Sequence, residues 1–162
     1  MGKVIFSGVL DFLFQKLEAT KGNNRGLDVP SCLTTNHYGE CYCGDIRFQI
    51  NREPVILLYC FCNDCLPITG EDGYHSSYLV KESNFQLIRG TPTTHEELSK
   101  EGRTIKRYYC HKCGANIWAQ TDLDLLSVWA GTCDDTSVFR SVKEVFLQTA
   151  PEWARDPNTR PI

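Results

Sequence analysis

Several things are scarce in this sequence, and each scarcity removes a class of function. No stretch approaches the roughly 18–20 consecutive apolar residues that a bilayer span requires, so no membrane span is expected. Positive charge is not in excess: 17 Lys and Arg face 20 Asp and Glu, a net charge of −3. That balance leaves no electrostatic footprint for a phosphate backbone, which argues against nucleic acid as a partner. Secretion signals are incomplete. Met1-Gly2-Lys3 begins like a signal peptide, but Asp11 interrupts the apolar stretch and no small-residue cleavage site follows. Phe6 occupies the position where N-myristoylation of Gly2 needs Ser or Thr. No fixed-period repeat and no low-complexity tract is present. A reducing, cytoplasmic setting is the expectation.

What is present is an ordinary folded composition with one excess. The chain has 162 residues, 41% hydrophobic, 11% aromatic and 23% charged, enough for one sizeable core. Residues 3–18 are apolar-rich (Val4, Ile5, Phe6, Val9, Leu10, Phe12, Leu13, Phe14, Leu17) on more than one helical face. They read as an N-terminal helical extension that packs on the core or on a second subunit, so a homodimer is a candidate assembly. Only Lys3 and Lys16 are basic there, which weakens a membrane-surface reading. Turn and linker chemistry follows, from Thr20 to Gly26 and at Pro30. The expected division is an extension and linker over 1–30, a β domain over 31–155 and an irregular tail over 156–162.

After residue 36 the pattern turns to strands. Ile46 to Ile50 alternates strictly, and Val55 to Tyr59 is a short apolar run suited to a strand covered on both faces. Further strands are predicted over 74–80, 85–89, 104–109, 116–119, 125–130 and 142–147. Gly, Pro, Asn and Asp separate them without a long helical period, which predicts a mainly β, antiparallel domain.

The excess is cysteine. There are nine, an odd number that cannot all pair, in a chain too large to need a disulfide scaffold. Seven fall into three groups: Cys41-Tyr42-Cys43, Cys60-Phe61-Cys62-Asn63-Asp64-Cys65, and Cys110-His111-Lys112-Cys113. The first and third end in Gly44 and Gly114, where a tight turn can aim backbone N–H groups at the thiolates. Two such knuckles point to one closed zinc site of Cys41, Cys43, Cys110 and Cys113 that staples most of the domain. The middle group offers Cys60, Cys62 and Cys65 with no obvious fourth ligand. A closed structural site takes four protein ligands, whereas a catalytic zinc keeps one position open. Three readings stand: an open site, a site closed by Cys32, Cys133, His75 or His37, or three thiols without metal.

The order C-x-C-G, C-x-C-x-x-C, C-x-x-C-G resembles the glutathione-dependent formaldehyde-activating enzyme family, which includes centromere-protein-V-like proteins. Supporting matches are Gly39 to Gly44 leading into Ile46 to Phe48, Gly70, Phe85 to Gly90, Ala130-Gly131-Thr132 with Asp134, and Trp153. The resemblance covers about residues 36 to 155. It implies a β-tent fold of antiparallel sheets, a structural zinc on Cys41, Cys43, Cys110 and Cys113, and a second zinc on Cys60, Cys62 and Cys65. It also implies carbon–sulfur lyase chemistry on a glutathione adduct. The sequence departs from the family at Phe61, where His is usual, at Leu66-Pro67, where Arg or Gln often stands, and at Cys133, where an aliphatic residue is common. The zinc ligands survive these changes and the polar surroundings do not, which points to a larger, more apolar adduct than formaldehyde.

A lyase also needs groups that move a proton. Asp64, inside the ligand loop, and His75, on a predicted strand, are the catalytic candidates, each with a blander reading as a turn former and a satisfied histidine. Tyr59 and Tyr74 line a pocket or pack in the core. Thr69-Gly70 offers a hydroxyl and an N–H to an oxyanion. Arg47 meets a glutathione carboxylate or faces water, as His111 and Lys112 do in their knuckle. His95 falls in a polar loop or short helical turn. A small-molecule substrate, in the form of a glutathione conjugate, is the expected partner. The rival reading is a zinc-stabilised protein-binding module without catalysis, and a glutathione-independent lyase or isomerase is a further one.

Overall fold

The computed structural model describes residues 36–52, 54, 56–70, 74–99, 102–120, 124–136 and 142–155. The expected helical extension and linker (1–30), Cys32 and the irregular tail (156–162) lie outside the described residues. The described part is mainly β, with antiparallel sheets. Its strands are β1 (Asn36–Glu40), β2 (Arg47–Asn51), β3 (Ile56–Cys60), β4 (His75–Lys81) and β5 (Phe85–Arg89). Then come β6 (Thr93–Leu98), β7 (Thr104–Tyr109), β8 (Asn116–Gln120), β9 (Leu125–Trp129) and β10 (Val142–Val145). Two short α-helices, α1 (Cys65–Thr69) and α2 (Glu152–Arg155), and three single-turn 3-10 helices at Glu82–Asn84, Ala130–Thr132 and Leu147–Thr149 complete the order among the described residues. A three-stranded sheet runs β1-β2-β5, and a seven-stranded sheet runs β10-β3-β4-β9-β8-β7-β6.

Alternation in β2 sets the core. Phe48 and Ile50 are fully buried while Arg47 and Gln49 face the other way. In the larger sheet, register places Leu57, Tyr78, Val128, Trp118 and Tyr108 in one row across β3, β4, β9, β8 and β7. Phe85 joins the sheets, its ring 5.3 Å from Phe48 and 4.7 Å from Trp118. Each large side chain buried here contributes about 1.5–3 kcal/mol. The opposite face of the same strands carries Leu58, Ser77 and Trp129, also in one row.

Three features differ from the sequence reading. His95 is not in a loop or helical turn: it lies in β6, an edge strand paired antiparallel with β7. An edge strand tolerates polar, exposed side chains because one flank faces solvent, so alternation was a poor guide there. β10 pairs with β3 in parallel, the exception in an otherwise antiparallel sheet. β1, rich in turn-forming residues, pairs with β2 along its whole length.

Candidate metal centre and active site

The two glycine-ended knuckles meet. Cys41, Cys43, Cys110 and Cys113 place their sulfurs within 4.8 Å of one another. Sγ of Cys43 lies 3.6 Å from that of Cys41 and 3.7 Å from that of Cys110. A tetrahedral metal with arms of about 2.3 Å needs sulfur–sulfur edges of roughly 3.8 Å, so this donor set fits a thiophilic metal without rearrangement. The knuckles share one backbone design. Cys41 N–H donates to Ile46 O and Cys110 N–H to Ala115 O, at 3.1 and 2.9 Å. Gly44 and Gly114, both at φ +73°, make the reversal that a β-carbon would strain. The freed amides then point at sulfur: Ile46 N–H reaches Cys41 Sγ at 3.3 Å, and Ala115 N–H bonds Cys113. Cys41 and Cys110 are buried in the main core, which anchors the cluster there.

The middle group forms a second cluster. Cys60, at the end of β3, Cys62 in the loop, and Cys65, opening α1, hold their sulfurs within 4.8 Å. Cys65 Sγ is 3.6 Å from Cys60 Sγ. No fourth His, Cys, Asp or Glu ligand atom among the described residues joins them, so His37, His75 and Cys133 do not close this set. Hydrogen bonds from the Cys60 and Cys65 thiols, then from the Cys65 and Asp64 amides, pull the Cys62 thiol down to about 2. The same contacts act the other way on Cys60, whose hydrogen bond with Cys62 is the main cause that pushes its thiol up. Three half-buried sulfurs this close could hold a metal while leaving a position free for a ligand.

The ligand loop is fixed from both ends. Phe61 is buried against Ala150, Ala154 and the partly buried Tyr74, Phe146 and Trp153. Its N–H donates to Val145 O at 3.1 Å, and Thr149 Oγ1 donates to its carbonyl at 2.7 Å. Phe61 is thus a packing residue that ties the loop to the C-terminal segment. Asp64 occupies the N-cap position of α1 with no side-chain cap hydrogen bond.

His75 stands directly across the β3–β4 pair from Cys60, and directly paired residues project from the same face. Its side chain is buried, its ring centre is 4.2 Å from that of Trp129, and its Nε2 has no hydrogen-bond partner among the described residues. Burial, with Arg107 nearby, pushes the imidazole down to about 4, while the Cys62 charge acts in the opposite sense. His75 is therefore neutral at pH 7.

The remaining candidates sort plainly. Tyr59 and Tyr74 stack on each other at 4.4 Å. Thr69 Oγ1 donates to Leu66 O (3.1 Å) and Gly70 N–H closes α1 on the same carbonyl (3.0 Å), so neither is presented to an oxyanion. Arg47 is not left to solvent: it binds Asp134 at 2.9 and 2.5 Å and Glu40 at 3.2 Å. Lys112 pairs with Asp45. Cys133 is buried, which pushes its thiol up to about 12 and suits a core thiol. Sequence reasoning missed Trp129 beside His75. The neighbouring Ala130-Gly131-Thr132 stretch was noticeable, but only the register of β4 and β9 brings the indole to the histidine.

An antiparallel β domain whose β1–β2 and β7–β8 turns meet in a four-cysteine cluster, with a three-cysteine cluster beside a buried histidine, defines a class of cysteine-rich, metal-capable β proteins. The chain belongs to the glutathione-dependent formaldehyde-activating enzyme family, whose model matches residues 36–149. Its fold is similar to that of a Rhodobacter sphaeroides protein of known crystal structure. The TM-score is 0.51 at 16% identity, over 65% of this chain and 97% of that one. No curated protein matches the sequence significantly.

Proposed function

We propose that this chain is a zinc-dependent carbon–sulfur lyase that makes or breaks a glutathione adduct of a small organic molecule more apolar than formaldehyde. Cys41, Cys43, Cys110 and Cys113 would hold a structural zinc, and Cys60, Cys62 and Cys65 a catalytic one. The observation that carries this reading is the three-thiol cluster without a fourth ligand among the described residues. Zinc bound there supplies a Lewis acid that favours the thiolate form of a sulfur ligand, lowering the cost of sulfur as nucleophile or leaving group.

In the addition direction a carbon–sulfur bond forms, a carbonyl bond opens and the thiol proton ends on the carbonyl oxygen; elimination reverses each change. Asp64, one residue before Cys65, is the proposed proton carrier, and His75 is the proposed second catalytic residue, facing the cluster from β4. A cytoplasmic, reducing setting keeps the thiols and glutathione available.

The test is zinc content per chain on purified protein before and after mild chelation, with glutathione in parallel. Two zinc ions, one released readily and perturbed by glutathione, are expected. Two equally tenacious ions would favour the binding module, and a single one would leave the middle thiols bare and sink the lyase reading.

A further inference from the structure

His75 keeps an uncompensated polar atom inside the fold. Its residue is 5% exposed and its Nε2 lies buried without a partner among the described residues. A buried donor or acceptor left unpaired costs the desolvation of that group, and nearly all such atoms in folded proteins are paired. A phenyl ring of the same shape would avoid that cost. The residue is not at a random place: β3–β4 register puts its side chain on the face of Cys60, and Trp129 backs the imidazole ring on the side away from β3. His75 does not join the three sulfurs as a ligand. An imidazole on the face of a thiol-handling centre can donate to, or accept from, an oxygen carried by whatever is bound there.

We propose that His75 Nε2 is a specificity-determining group that hydrogen-bonds an oxygen on the sulfur-bearing carbon of the bound adduct, with Trp129 holding the ring in position. In this role the imidazole touches the bound adduct and orients it, and the proton transfer proposed above is assigned to Asp64. The proposal rests on the glutathione reading above and adds to it the residue that would tell an oxygen-bearing adduct from a plain thioether. A site built to pair with an oxygen rejects the analogue that lacks it, because its own polar atom is then left buried and unpaired.

S-acetylglutathione and S-ethylglutathione differ only by that oxygen, and their binding to the zinc-loaded protein by calorimetry is the test. Mass measurement of the recovered chain checks that no acetyl group has moved to cysteine. The wild type should prefer the acetyl adduct by about tenfold in Kd, one hydrogen bond's worth. His75→Phe should abolish the preference, keep the wild-type zinc content and raise Tm by about 2–5 °C, since the orphan atom is gone. His75→Gln, which can present an amide nitrogen near the Nε2 position, should restore most of the preference. Equal affinity of the wild type for both adducts overturns this proposal alone. So does an unchanged preference in His75→Phe, a lower Tm for that variant, or loss of a zinc ion from it, which would make His75 a ligand. Failure of the wild type to bind either adduct overturns the glutathione reading, and this proposal with it.

Discussion

Lys112 of the second knuckle reaches Asp45 of the first, joining residues 67 positions apart in an ion pair outside the four-cysteine cluster. The pair does at the surface what the sulfurs do inside: it holds the β1–β2 turn against the β7–β8 turn. Lys112 is more than half exposed, so solvent and salt weaken its contribution. Lys112→Met is expected to lower Tm by about 1–3 °C in low salt, with the difference vanishing above roughly 0.5 M NaCl, where the screening length is only a few ångströms. Thermal melts across a salt series check this. A deficit that persists in high salt would mean the stem of Lys112, and not its charge, is what matters.

The two cysteine clusters should respond oppositely to single substitutions. Cys41 is buried in the main core and accepts the Ile46 amide, and its cluster joins the early and late parts of the domain. Structural four-thiolate zinc contributes about 10–16 kcal/mol in small domains, as much as the whole net stability of a typical fold. Cys41→Ser is therefore expected to leave the chain unfolded at 25 °C. Cys62 is half-buried in a loop held by Phe61 and α1, and its loss removes no core contact. Cys62→Ser is expected to keep a dispersed NMR spectrum and a Tm within a few degrees of wild type and, on the lyase reading proposed above, to lose turnover. A folded Cys41→Ser protein would show that the first cluster does not hold the domain together.

The predicted strands fell within a residue or two of those observed, because alternating and fully apolar runs have a single buried solution in a sheet. The three cysteine groups were legible for a similar reason: short spacings and glycine turns are local geometry. Polar β6 and turn-rich β1 carried no periodic signal, and their pairing is decided by neighbours distant in sequence. The same holds at the site. Phe61 read as a missing polar group, whereas the fold makes it the packing anchor of the ligand loop. Nothing in the spacing of Cys60, His75 and Trp129 announces that three strands bring them together.

That anchoring role has a measurable size. Phe61 is 1% exposed, at the centre of a small cluster with Ala150 and Ala154. Removing a fully buried phenyl ring costs about 3–5 kcal/mol in transfer energy and cavity. Phe61→Ala is expected to lose that much stability in urea unfolding and, in zinc-loaded protein as proposed above, to release metal from the middle cluster ahead of the four-cysteine one. Thr149→Val, which removes the hydroxyl that donates to Phe61 O, should cost about 1 kcal/mol and move metal affinity in the same direction. If Phe61→Ala left the two clusters equally tenacious, the packing would not be what shapes the ligand loop.

The far edge of the large sheet carries a different electrostatic device. Arg107 on β7 is buried, and its Nε donates to Glu97 Oε1 on β6 at 2.8 Å, with His95 Nε2 3.5 Å from the other carboxylate oxygen. The Arg107 hydrogen bond, then its charge, holds the Glu97 carboxyl below the usual carboxylate range. A depressed folded value means that the unfolded chain takes up the proton first, so stability rises with pH across that interval. The contribution is fully present above the unfolded carboxylate's range near pH 4.5 and is lost as pH falls through the lower folded value. Glu97 is about one-third exposed, which limits the gain to about 1 kcal/mol. Glu97→Gln should therefore melt a few degrees lower than wild type at pH 7, with the gap closing toward pH 3. Paired melts at those two values decide it, because a gap independent of pH would assign the stabilisation to packing of the Glu97 stem on β7 and not to its charge.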